Sequence, residues 1–156
     1  MMSLNIQFVP IEPADLDTVQ DIVNSNADYN RMENGRPERS REELLEQLSP
    51  DQHSLMIRLD GRAIGLLQYL DRNPKDGYPW LGLLMIHEEL KGRGYGKAAY
   101  VAFAQRLRQE GKQSVRIGVI PENEPAKRFW SSLGFQYYAT KVANIGIEVE
   151  CYEKAL

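Results

Sequence analysis

The most reactive-looking stretch of the chain lies between Ile86 and Lys97. An apolar stretch, Trp80-Leu81-Gly82-Leu83-Leu84-Met85-Ile86, leads into Lys91-Gly92-Arg93-Gly94-Tyr95-Gly96-Lys97, and a helical pattern follows. Glycines at 92, 94 and 96 let a backbone come close to a ligand and take conformations closed to other residues. The N–H groups of such a loop converge with the N-terminus of the next helix, an arrangement that attracts anions. Lys91, Arg93 and Lys97 add positive charge, so a phosphate or pyrophosphate is the natural guest. A P-loop needs glycine where Lys91 stands and Ser or Thr where Ala98 stands, and the sequence fails both tests. The dinucleotide pattern G-x-G-x-x-G/A is formally met by Gly94-Tyr95-Gly96-Lys97-Ala98-Ala99. It lies mid-chain, with 57 residues after it (100 to 156), too few for a full dinucleotide fold.

A second segment separates these readings. Asn123-Glu124-Pro125-Ala126-Lys127-Arg128-Phe129-Trp130-Ser131-Ser132-Leu133-Gly134-Phe135 resembles the N-x-x-A-x-x-[FLY]-[YW]-x-x-x-G-F signature of the GNAT superfamily of N-acetyltransferases. Lys91-Gly92-Arg93-Gly94-Tyr95-Gly96 is similar to that family's acetyl-coenzyme A loop, R/Q-x-x-G-x-G/A. The gap between the two signatures and the order of elements also look like the family, so the resemblance spans nearly the whole chain. It implies acetyl transfer from acetyl-CoA to an amine, with the cofactor in a V-shaped opening between the strands ending near Ile86 and Val119. The loop of Lys91, Gly92, Arg93, Gly94, Tyr95, Gly96 and Lys97 would hold the pyrophosphate. Backbone groups of Leu84, Met85 and Ile86 would receive the pantetheine arm, and an N–H of Met85 or Ile86 would steady the oxyanion. Asn123, Ala126 and Trp130 would complete the cofactor side.

The chain departs from the family pattern at three points. Lys91 replaces the usual Arg or Gln and keeps charge without the planar fork. Trp130 stands where many relatives carry the tyrosine that protonates the departing thiolate, and an indole N–H is no proton source. Tyr137 or Tyr138 is the candidate substitute, or water assists the thiolate's departure. The central strand also has no glutamate where some members place a base; Trp80 stands near that point. Candidate bases are His87, Asp71, Asp76, Glu122 and the row Glu148/Glu150, with ordered water as the alternative. His87 follows the central strand and titrates in a useful range. For the acceptor, Tyr29, Arg31, Arg36, Tyr78 and Trp80 are available in the variable parts of such a fold. Two rival readings stand beside acetyl transfer. One is a non-catalytic acyl-CoA-binding regulatory module; the other is a nicotinamide-dependent oxidoreductase using Gly94 to Ala99.

Elements that could hold these residues are legible in the hydrophobic spacing. Leu4, Ile6 and Phe8 alternate as a first strand stopped by Pro10. Leu16, Val19, Ile22 and Val23 predict a helix fading near Asp28-Tyr29-Asn30, with a loop from Asn30 to Arg39. Ser40-Arg41-Glu42-Glu43 is a capping box before Leu44, Leu45 and Leu48, and Pro50 closes that helix. Two alternating runs flank an Asp60-Gly61 turn. The stretch Trp80 to Ile86, apolar throughout, reads as a central strand covered on both faces, with Gly82 marking a bulge or a close approach. A helix to about Gln109, a strand through Val115, Ile117 and Val119, and a short helix capped by Asn123 follow. Two strands, Phe135 to Ala143 and Ile145 to Tyr152, complete the chain. The order β-α-α-β-β-β-α-β-α-β-β predicts one α/β domain over residues 1–156, of the mixed α+β kind. Its central sheet would have six to seven strands, with helices on both faces.

Composition bounds the function. The 156 residues are 42% hydrophobic and 26% charged, enough for one real core. Nineteen basic against twenty-two acidic residues give a net charge of -3, which argues against a nucleic-acid partner. Cys151 is the single cysteine, so no internal disulfide or CxxC metal site exists. No signal peptide or membrane-length apolar run is visible, and the expected location is cytoplasmic. The expected partner is an amine-bearing small molecule or protein, without membrane or metal; a homodimer through strand edges is compatible with the reading.

Overall fold

The protein is described here by a computed structural model covering residues 4–142 and 146–156. The chain runs β1 (Ile6–Pro10), a 3-10 turn (Pro13–Asp15), α1 (Leu16–Ser25), α2 (Ala27–Asn34), α3 (Arg41–Gln47), β2 (His53–Leu59), β3 (Arg62–Leu70) and β4 (Trp80–Ile86). It continues through a 3-10 turn (Glu88–Leu90), α4 (Tyr95–Gln109), β5 (Ser114–Val119), α5 (Glu124–Ser132), β6 (Gln136–Val142) and β7 (Glu148–Ala155). The strands form one seven-stranded mixed sheet in the order β1-β2-β3-β4-β5-β7-β6. Every pairing is antiparallel except β4 with β5.

Local chemistry explains the boundaries. Asp60 and Gly61 both adopt left-handed backbone, φ 50° and 82°, which suits a two-residue hairpin turn with the strands' own twist. The Ser40 hydroxyl accepts from the Glu43 N–H, and the Glu43 carboxylate accepts from the Ser40 N–H, so both orphan donors at the start of α3 are satisfied. Pro10 ends β1 at the sheet's edge, where its missing N–H costs least.

Alternation along the central strands separates two apolar layers. On one face Ile57, Leu67, Val115 and Ile117 pack with Phe103 and Leu107 of α4 and with Phe135. On the other, Met56, Leu66 and Met85 pack with Val19 and Ile22 of α1 and Leu44 of α3. Helices on both faces of a mixed sheet match the expected fold class. The described helices include none long and apolar enough to cross a membrane.

The structure differs from the periodicity reading in the segment after α1. Residues 30–34 are helical rather than the start of a loop, and residues 27–34 form a separate helix after a break at Asn26 (φ -97°, ψ 54°). The only fully buried side chain of α2 is a polar one, Asn30, so no apolar stripe betrays the helix. Its Nδ2 donates to the carbonyls of Val23 (2.9 Å) and Pro37 (2.9 Å). Arg39, also buried, donates to the carbonyl of Asn30 (3.1 Å) and pairs with Glu33 (3.0 Å). Tertiary polar contacts hold α2, and a search for apolar spacing cannot see them. The last strands also shift, to Gln136–Val142 and Glu148–Ala155. The expected strand ends at Ala143 and Ile145 lie outside the described residues.

One irregularity shapes the site. Gln68 pairs with Leu83 and Tyr69 with Leu81, so Gly82 is the extra residue of a bulge in β4. Parallel pairing with β5 is confined to Trp80↔Arg116 and Leu81↔Ile117, and ends where the bulge begins. From there to Ile86 the β5-facing edge of β4 is left without a partner strand.

Candidate active site

A cleft of about 850 Å³ follows the divergence of β4 and β5. Its walls are Leu81 to Ile86 of β4, Ile117 to Ile120 at the end of β5, the glycine loop, Asn123 and the α5 face, and Asn26 to Met32 of the α1–α2 region.

The edge that β4 offers to the cleft follows from the ladder. His87 N–H donates to the Ile64 carbonyl on β3 (2.9 Å). Backbone groups alternate sides along a strand, so those of Met85 also face β3, while those of Leu84 and Ile86 face the opening. Two contacts agree. A Cβ added to Gly65 on β3 would sit 2.2 Å from the Met85 carbonyl oxygen. Asn26 Nδ2 reaches the Ile86 carbonyl from the other side at 3.1 Å. Of the two N–H groups expected to serve an oxyanion, that of Ile86 therefore points into the cleft and that of Met85 does not.

Below this edge the loop turns through Gly92 and Gly94, both left-handed at φ 78° and 83°, and Gly94 is the N-cap of α4. Gly96 lies against the Phe129 ring, where an added Cβ would stand 3.4 Å away. The N-terminus of α4 and the loop's N–H groups are thus brought to one end of the cleft. Lys91 and Lys97 line that end, and Lys91 is paired with Glu88 at 2.7 Å. Arg93 is exposed and lies outside the lining. Asn123 caps α5, its Oδ1 accepting from Ala126 N–H at 3.2 Å, and both residues line the cleft. Trp130 lines it too, its indole packed edge-on against Tyr100, Phe129 and Phe135 at ring distances of 4.9 to 5.8 Å.

Several side chains expected at the site are not brought to it. His87 lies outside the lining; its Nδ1 accepts from Glu89 N–H (3.2 Å) and its Nε2 is 3.2 Å from Asp21. A ring anchored at both nitrogens at the head of a 3-10 turn is turned away from the opening. Tyr138 is the bulged residue of β6 and also lies outside. Its hydroxyl is pushed up to about 12 by burial, against the pull of Arg116. Tyr78 and Tyr138 sandwich the Arg116 guanidinium, whose carbon is 3.6 Å and 4.5 Å from the two ring centres. Arg116 also pairs with Asp76 (3.2 Å) and Glu153 (3.1 Å), and Asp76 accepts from the Trp80 indole N–H (2.8 Å). Burial raises the Asp76 carboxyl, but bonds from Tyr78 N–H, Trp80 and Arg116 outweigh it and hold the group below its ordinary value. The cluster ties the 72–78 turn to β5 and β7 and leaves each of its charged groups paired. Tyr78 and Trp80 belong to it rather than to the cleft lining, although Trp80 approaches Gly118 of the β5 wall.

Tyr29 does line the cleft, and its hydroxyl donates to Glu33 at 3.0 Å. Burial and the Glu33 carboxylate push that hydroxyl upward. Arg31 is exposed, paired with Asp28 at 3.1 Å, and outside the lining. Among the other candidate bases, Asp71 is bound to His53 (2.6 Å) and Glu150 to Lys127 (3.2 Å), while Glu122 and Glu148 lie outside the lining.

Asn26, Met32, Gly118 and Phe129 are cleft residues that spacing alone does not flag as site residues. Asn26 carried one signal, a polar residue at the end of an amphipathic helix. Phe129 lies within the signature and reads equally as core.

The Acetyltransferase (GNAT) family model matches residues 19–135, three quarters of the chain. A search of curated protein sequences finds no match. An acetyltransferase from Thermus thermophilus has a similar structure, with a TM-score of 0.84 at 24% identity over all of both chains. The PaiA N-acetyltransferase of Thermoplasma acidophilum, solved with coenzyme A, gives 0.71 at 18% identity over 99% of this chain and 100% of that one. Spermidine N-acetyltransferase of Vibrio cholerae, solved with CoA and spermine, gives 0.74 at 17% identity over 96% and 95%. With the family match covering both the loop and the α5 signature, the chain belongs to the acetyltransferase (GNAT) family of enzymes.

Proposed function

We propose that the protein moves an acetyl group from acetyl-CoA directly to a primary amine of a small molecule or a protein. The observation that carries this reading is the continuous cleft from the free edge of β4 to the glycine loop at the head of α4. An extended amide chain can pair with Leu84 and Ile86 as an added strand does. A pyrophosphate suits the loop N–H groups and the helix terminus, with Lys91 and Lys97 beside it. The cleft volume lies in the range of sites that enclose most of a ligand.

In the proposed reaction the uncharged amine attacks the thioester carbonyl. The N–C bond forms, the C–S bond breaks, and CoA leaves as its thiolate. Negative charge on the carbonyl oxygen is met by a backbone N–H of the β4 edge, that of Ile86 or Leu84, already fixed in direction by the strand. A thiol with an ordinary value of about 8.5 departs near neutral pH without a strong side-chain acid. That suits a site whose tyrosine position holds Trp130. The proton lost by the amine passes to water. Neither His87 nor Tyr138 transfers a proton in this reaction.

Thermal denaturation with acetyl-CoA, CoA, NADH and ATP tests the cofactor. At 100 times its dissociation constant a ligand of the folded state adds about 2.7 kcal/mol, roughly a 5 °C rise in Tm for a chain of this size. A rise with both CoA forms supports the reading. No rise with either overturns it, and a rise with NADH alone restores the dinucleotide reading. Thiol release across an amine panel then separates transfer from a non-catalytic CoA-binding module.

A further inference from the structure

Asn26 sits where α1 breaks into α2, is only 3% exposed, and faces the cleft. Its Nδ2 donates to the Ile22 carbonyl at 3.0 Å and, across the site, to the Ile86 carbonyl at 3.1 Å. The Ser25 hydroxyl stands a little farther off at 3.2 Å. Carbonyl oxygens only accept, so these two bonds fix which end of the amide carries nitrogen. The opposite end, Oδ1, has no hydrogen-bond partner among the described residues. It is not sealed from solvent either: the Tyr100 hydroxyl is the one described side-chain polar atom both sealed and unpartnered. The accessible space beside Asn26 is the cleft, so Oδ1 opens onto it. A buried side-chain carbonyl held by its own amide and aimed into a cleft is an acceptor built in advance.

We propose that Asn26 is a ligand-binding residue of this site. Its Nδ2 holds the Ile86 carbonyl in place and its Oδ1 receives an N–H donor from the cleft's occupant. The inference rests on the acetyl-CoA reading above. Two sources supply that chemistry. One is an amide N–H of the pantetheine arm lying along Leu84 and Ile86. The other is the N–H of the attacking amine, which Oδ1 would orient so that the lone pair faces the thioester. An uncharged side-chain amide takes no proton in either case.

The test uses Asn26→Ser and Asn26→Ala. Serine offers one hydroxyl that can still donate to one of the two carbonyls and puts no acceptor at the Oδ1 position. Acetyl-CoA affinity is measured by calorimetry. Transfer is measured with hydroxylamine, a small amine uncharged at neutral pH that needs no acceptor pocket. A fivefold or greater loss of acetyl-CoA affinity in Asn26→Ser assigns Oδ1 to the pantetheine amide. Unchanged affinity with a tenfold or greater fall in transfer assigns it to the amine. In either case the side-chain carbonyl carbon of Asn26, followed by NMR in asparagine-labelled wild-type protein, is expected to shift on ligand addition. A downfield shift, which a carbonyl carbon shows when its own oxygen gains a hydrogen bond, marks Oδ1 as the acceptor and is read on the wild type even if both variants fail to fold. An unmoved resonance in saturated wild type, or Asn26→Ser matching wild type in both affinity and transfer, overturns the proposal. Failure of the wild type to bind acetyl-CoA at all overturns the acetyl-CoA reading instead.

Discussion

At the scale of single residues the site depends on positions with little freedom to change. Gly94 holds a left-handed backbone at the head of α4, where a Cβ finds open space but the conformation itself is unfavourable. Gly94→Ala is expected to cost about 1–2 kcal/mol, read as a lower denaturation midpoint, and to weaken CoA binding as the loop relaxes toward ordinary geometry. Behind the α2 wall of the cleft, where we propose the acceptor lies, a chain of polar contacts runs from buried Arg39 through Glu33 to the Tyr29 hydroxyl. Tyr29→Phe removes the last link, and the expected result is a higher acceptor KM with acetyl-CoA affinity unchanged. Arg39→Leu removes the first. It leaves the Asn30 and Arg36 carbonyls without this donor and Glu33 with the Tyr29 hydroxyl alone, at a cost of about 3 kcal/mol in a urea titration. Glu33 is half exposed, so water recovers part of the loss.

At the scale of elements, the site exists because two neighbouring strands cease to pair. Gly82 shifts the β4 register by one residue, and the parallel ladder to β5 ends there. Glycine itself is not sterically required at 82: an added Cβ would meet its nearest atoms at 3.6 Å. Gly65 is the opposite case, since its Cβ would stand 2.2 Å from the Met85 carbonyl oxygen and force β3 from β4. Gly65→Ala is therefore expected to destabilise by about 3 kcal/mol, the upper end for overpacking. Gly82→Ala is expected to stay within about 1 kcal/mol, near the ordinary loss or gain of an exposed change. Thermal unfolding of the two variants checks the contrast, and equal effects would contradict the strand geometry. The α2 wall differs in kind from the rest. It is held by Asn26, Asn30 and Arg39 rather than by an apolar stripe, which is why its spacing reads as loop.

At the scale of the whole molecule, the Arg116 cluster ties the 72–78 turn to β5, which the chain reaches only after α4, and to β7, which it reaches only after α5. Asp76 is held below the ordinary aspartate value in the folded protein. A depressed carboxyl stabilises above its unfolded value, about pH 4, and that contribution disappears as pH falls through the lower folded value. Asp76→Asn is thus expected to be less stable than wild type at pH 7. The gap should narrow below pH 4, as measured by denaturant midpoints at pH 7 and pH 3. A gap independent of pH would mean that the carboxyl's charge is not what binds the turn.

Features with local causes were legible before any fold was known. The Asp60-Gly61 hairpin, the Ser40 capping box, the Asn123 cap and the apolar β4 are set by residues within a few positions of one another. So is the glycine loop opening α4. The family signatures are local too, which is why the fold class was legible from them. Features that depend on distant partners came from the folded chain: which N–H of β4 faces the opening, and that Asn26 reaches Ile86 across 60 residues. Folding also turned His87 toward Asp21 and drew Tyr138 onto Arg116, away from the chemistry that their residue types suggested. Residue type states what a side chain can do. Only the packing of separate elements fixes where it points, because a strand's alternation and a helix's face have no direction until a neighbour is in place.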